Sequence, residues 1–116
     1  MKLAREIEKL DQDYILDNLK EEFLKLSKST VLITGGAGFL GFYFVKSILY
    51  WNDNNPDNTI SLIVYDSFIR GTPIWLQKMS QREDIIVNKH DITKKLPADI
   101  GEVNYIIHAA SIASPI

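Results

Sequence analysis

Eight consecutive residues, Thr34-Gly35-Gly36-Ala37-Gly38-Phe39-Leu40-Gly41, are the part of this sequence best suited to chemistry. Two glycine registers fit. Gly36, Gly38 and Gly41 match G-x-G-x-x-G, and Gly35, Gly38 and Gly41 match G-x-x-G-x-x-G. Such spacing lets a chain turn sharply, bring bare backbone close to a pyrophosphate, and pack a following helix tightly on a sheet. Free N–H groups at the start of that helix favour phosphate charge. No Gly-Lys-Ser/Thr follows, because Gly41 leads into Phe42-Tyr43, so a nucleoside-triphosphate loop is disfavoured.

A second group completes the pattern. Asp66 lies 25 positions beyond Gly41, near the ~20-residue offset of an acid that accepts hydrogen bonds from an adenosine ribose. A carboxylate there repels a 2′-phosphate and favours NAD over NADP. Arg70, four residues on, argues the other way, since a guanidinium can hold that phosphate.

These residues need strands and helices to position them. Thr30–Thr34 is a short apolar, β-branched run that stops at the glycines, and Phe39 to Trp51 reads as a buried helix. Asn52 to Asn58 reads as a turn cluster with no room for regular structure. Ile60–Tyr65, Ile85–Asn88 and Val103–His108 are three further strands, with a short helix predicted from Ile74 to Ser80. One or two helical turns fit between Asp91 and Gly101. Strands poor in charge, alternating with helices, predict an α/β fold with a parallel sheet covered on both faces. Right-handed crossovers order the strands 3-2-1-4, the first half of a doubly wound, Rossmann-type sheet with the fourth strand as an open edge.

Residues 1–28 form a separate helical extension, and residues 29–116 the half-sheet. Leu3, Ile7, Leu10, Tyr14, Ile15, Leu19, Phe23 and Leu26 fall on one helical face, expected to cover the core, with Asp11 or Asp13 able to cap a second helix. The same face could instead bind a partner.

Composition narrows the function. The chain has 116 residues, a net charge of −2 and no cysteine, which excludes disulfides, thiolate metal sites and a cysteine nucleophile. The charge balance argues against a nucleic-acid partner. No apolar run approaches a membrane span, and no signal peptide opens the chain, so no membrane partner and a cytoplasmic location are expected.

The motifs resemble the extended short-chain dehydrogenase/reductase family, in particular its nucleotide-sugar epimerases, dehydratases and decarboxylases. Thr34 to Gly41 is similar to that family's T-G-G-x-G-F-[IL]-G turn. Val64-Tyr65-Asp66-Ser67-Phe68 with Gly71, His90-Asp91-Ile92, and Ile106-Ile107-His108-Ala109-Ala110-Ser111 resemble its segments after the second, third and fourth strands. Ser67 departs from the asparagine common there, and the polar stretch Asn52 to Asn58 is an insertion. The resemblance implies NAD as cofactor and a nucleotide-sugar substrate for a complete enzyme, which can be a homodimer. It implies that Gly35, Gly38, Phe39 and Leu40, within the turn that also contains Gly36 and Gly41, line the pyrophosphate. By the same resemblance Asp66 holds ribose, Asp91 and Ile92 border adenine, and Ala109, Ala110 and Ser111 flank the segment toward nicotinamide.

The family's chemistry also needs a Tyr-x-x-x-Lys pair. The residues four beyond Tyr14, Tyr43, Tyr50, Tyr65 and Tyr105 are Asn18, Ser47, Asn54, Ile69 and Ala109, so the pair is absent. No residue is therefore assigned to catalysis or to a metal, and His108 and His90 read as structural and loop histidines. The expectation is the NAD-binding portion of an enzyme that transiently oxidises a sugar, its catalytic half lying elsewhere. A non-catalytic dinucleotide-binding module and a helix-mediated interaction protein are the alternatives.

Overall fold

The computed structural model describes residues 3–69, 71–91 and 93–109. In chain order the elements are α1 (Ala4–Asn18), α2 (Lys20–Leu26), β1 (Thr30–Thr34), α3 (Phe39–Asn54), β2 (Ser61–Asp66), α4 (Ile74–Met79), β3 (Ile85–Lys89), a 3₁₀ turn (Ala98–Ile100) and β4 (Tyr105–His108). The four strands form one parallel sheet in the order β3-β2-β1-β4, as expected from the sequence.

Alternation along the strands divides the apolar residues between two faces. Val31, Ile33, Leu62, Val64 and Ile85 join Val45, Ile48, Leu49 and Trp51 of α3, Leu76 of α4 and Phe23 of α2 in the main core. The Phe23 and Trp51 rings stack at 5.3 Å and tie α2 to α3. The opposite face is thinner. Register places Ile86, Ile63, Leu32 and Ile106 in one row across the sheet. Leu32 and Ile63 are buried with Tyr65 beneath Ile100 and Val103, whereas Ile86 and Ile106 at the row's ends are exposed. The expectation of two covered faces thus holds for one face and for only the middle of the other among the described residues.

Four further expectations need correction. Helix α3 continues through Asn54, because Asn52 is captured rather than left to solvent. Its amide donates to the Ile60 carbonyl at 2.8 Å and to Asp84 at 2.9 Å, and its side-chain oxygen accepts the Ile60 N–H at 2.7 Å. Nor is α3 buried all round, since Phe39, Leu40, Tyr43 and Phe44 are exposed. The N-terminal helices break at Leu19, not at Asp11 or Asp13. Asp13 instead lies within α1, where it binds Lys9 and accepts the Tyr50 hydroxyl. Finally, Leu3, Ile7, Leu10 and Tyr14 do not cover the core. Helix α1 meets α3 through Glu8, Asp13, Ile15 and Leu16, with Glu8 bound to Lys46.

Candidate functional site

The site is built at the carboxyl end of β1, which is flanked by β2 and β4 and so lies where the winding of the sheet reverses. β1 hands the chain to the glycine turn through Gly35, whose φ of 77° is the left-handed conformation that side chains disfavour. The Gly35 N–H still reaches the Tyr65 carbonyl at 2.7 Å, carrying the pairing with β2 one residue past the strand.

Close packing excludes side chains at two more positions. A Cβ on Gly36 would lie 2.2 Å from Val64 Cγ1, and one on Gly41 would lie 2.5 Å from the Gly36 Cα. Gly41 therefore lets α3 seat directly against the turn. Gly38 differs, because a Cβ there would meet only the Gly35 carbonyl at an ordinary 3.6 Å. Its backbone is extended, with φ −82° and ψ −176°. Among the described residues, the protein itself makes no packing demand for glycine at 38.

What could approach is set by the start of α3. The first intrahelical bond runs from the Phe42 N–H to the Gly38 carbonyl at 2.9 Å, which leaves the N–H groups of Phe39, Leu40 and Gly41 without an intrahelical acceptor. Gly38, the N-cap, has no side chain to cap them and no acid lies in the first turn, so among the described residues the positive end of the helix has no such local partner. A diphosphate fits this donor set. Phe39 and Leu40 stand exposed at its edge.

Asp66, half-buried at the end of β2, faces the same turn. Its Oδ2 accepts the Ala37 N–H at 3.1 Å and its Oδ1 accepts the Phe68 N–H at 2.7 Å, with Phe68 held at φ 55°. Asp66 thus ties the glycine turn to its own loop. Each carboxylate oxygen keeps a further lone pair, so acceptor capacity for ribose hydroxyls remains. Sequence reasoning singled out Asp66 but missed Ala37, since a backbone donor leaves no mark in residue type.

The remaining expected residues are distributed less tightly. Asp91 is exposed, and its Oδ1 accepts from the Thr93 N–H at 2.9 Å and the Thr93 hydroxyl at 2.7 Å. The hydroxyl and then the backbone N–H hold its carboxyl below the usual range. Ala109 is half-buried, its N–H bound to the Thr34 carbonyl at 2.8 Å. Arg70, Ile92, Ala110 and Ser111 lie outside the described residues. His108 Nδ1 meets the Thr34 hydroxyl at 2.6 Å across β1 and β4, a structural pairing. His90 Nε2 lies 3.3 Å from the Lys94 carbonyl and its ring sits 5.1 Å from that of Tyr65.

No family model matches the chain. It is, however, 34% identical over 90 residues to UDP-glucuronic acid decarboxylase 6 of Arabidopsis thaliana, a match covering 78% of this chain and 24% of the relative. UDP-glucuronic acid decarboxylase 5 of the same plant matches with the same identity and coverage. UDP-glucuronic acid decarboxylase 4 is 30% identical over 93 residues, covering 80% of this chain and 19% of the relative. With the sheet order and the glycine turn, these matches show that the chain belongs to the extended short-chain dehydrogenase/reductase family. It spans about a quarter or less of the length of these curated relatives. Among the described residues, no helix is long and apolar enough to cross a membrane.

Proposed function

We propose that this chain binds NAD and forms the dinucleotide-binding portion of an enzyme that acts on a nucleotide sugar, of the decarboxylase type that its relatives' names describe. The observation that carries the reading is Gly38, a position the protein leaves free for a side chain yet keeps bare, beside three N–H groups at the start of α3 that have no intrahelical acceptor. The pyrophosphate is assigned to Gly35, Gly38, Phe39 and Leu40, in the cofactor-binding turn that Gly36 and Gly41 complete. The adenosine ribose is assigned to Asp66, and the adenine edge to Asp91 and Ile92. Ala109, Ala110 and Ser111 are assigned to the segment leading toward nicotinamide.

When bound, the nicotinamide supplies an acceptor for hydride from a sugar carbon. The part played by this chain is binding and orientation. The α3 N-terminus offsets phosphate charge, the glycines allow main-chain approach, and Asp66 selects an unphosphorylated ribose by charge. Proton transfer from the sugar is assigned to residues outside this chain, because no tyrosine here has lysine four positions on.

Calorimetric titration of the chain with NAD and with NADP tests the proposal. Saturable binding of NAD, tighter than that of NADP, is expected. Equal binding of both, or of neither, would overturn it.

A further inference from the structure

Helix α1 carries its apolar stripe on the side facing away from the domain. Leu3, Ile7, Leu10 and Tyr14 follow at steps of four, three and four, which keeps them on one side of a helix. They are 56%, 49%, 49% and 70% exposed. The inward side is mixed, with Ile15 and Leu16 packed against the core beside Glu8, Gln12 and Asp13. Glu8 binds Lys46 at 3.0 Å and Asp13 accepts the Tyr50 hydroxyl. Gln12 is 3% exposed, and neither of its amide atoms has a hydrogen-bond partner among the described residues. A helix serving only to cover its own domain would be rotated the other way, with the leucines inside and the glutamine in water. The ion pair and the tyrosine contact fix the observed rotation and hold the stripe outward.

Charge along the stripe selects what can lie on it. Helical spacing puts Glu6 and Asp17 along one border and Asp11 along the other. Among the described residues, neither Asp11 nor Asp17 has a cationic partner. Lys9 is turned to Asp13 at 3.2 Å, and Arg5 falls on the far side of the helix. Two copies packed stripe to stripe would set acidic borders against each other, and an anionic lipid surface would meet the same repulsion. We infer that the stripe docks an amphipathic helix of a partner protein, one with an aliphatic seam bordered by lysine or arginine.

The inference is tested on the full 116-residue chain with two labelled synthetic helices that share a leucine seam. One is bordered by lysine and the other by glutamate, and binding is read by fluorescence anisotropy. The lysine-bordered helix is expected to bind and the glutamate-bordered one not, with affinity falling as salt is raised. The double substitution Ile7→Glu, Leu10→Glu should weaken binding by at least about tenfold. A second variant, Asp11→Lys with Asp17→Lys, should reverse the preference between the two peptides, which separates docking from loss of fold. Equal binding of both peptides would overturn the inference. So would an unchanged preference in the lysine variant, binding to phosphatidylserine vesicles, or a wild-type dimer that the double glutamate variant dissolves.

Discussion

The Asp66 carboxylate and the Ala37 backbone N–H meet at 3.1 Å, joining the acid that ends β2 to the turn that follows β1. The group assigned to the ribose therefore also holds the shape of the glycine turn. Asp66→Asn removes the charge and keeps one side-chain oxygen, which can serve Ala37 or Phe68 but not both. It should weaken NAD binding by roughly tenfold, the scale of one charge-assisted hydrogen bond, and narrow the preference over NADP. Parallel titrations with the two dinucleotides check this. Asp66→Ala should lower the melting temperature more than Asp66→Asn does, because both backbone N–H groups lose their acceptor instead of one.

Gly41 tests the seating of the helix. Adding a methyl group forces it to within 2.5 Å of the Gly36 backbone, where nothing flexible can give way. Gly41→Ala should cost about 1–3 kcal/mol of stability, the usual scale of overpacking, as read by urea unfolding.

Asn52 is the polar strap between α3 and β2. Asn52→Leu strands the N–H and carbonyl of Ile60, both buried, and should cost ~2–4 kcal/mol, from one to two unmet hydrogen-bonding groups. Unfolding followed by Trp51 fluorescence reports it, since that ring is packed against Phe23 in the core.

Acid should loosen the same corner. Asp84 is held below the usual carboxylate range, first by its hydrogen bonds to the Arg82 guanidinium and further by the Asn52 amide. A lowered folded-state value means that the unfolded chain binds the proton more readily. The contribution is therefore complete above the ordinary value of 3.8 and lost as pH falls below it through the folded value. Melting temperature measured from neutral pH downward should drop in that window, and Asp84→Asn should flatten the drop.

The strand order and the glycine turn were legible because each strand is a short apolar run and the glycines sit between a strand and a helix. The place of Asp66 beside the glycine turn was legible from its offset. What escaped the sequence was decided by tertiary contacts. Asn52, read as a turn residue by type, is helical because Ile60 supplies partners for its amide. The periodicity of α1 was real, but Lys46 and Tyr50 chose which side faces α3. The two-faced burial of the sheet was overestimated, since Ile86 and Ile106 have strand-core character and lie exposed.

The most direct test of the account is Gly38→Ala, followed by melting and by NAD titration on the same sample. The extended backbone at 38 and the 3.6 Å contact accept a methyl group, so stability should change by less than about 1 kcal/mol while NAD affinity falls tenfold or more. Undiminished NAD binding in that variant would contradict the account.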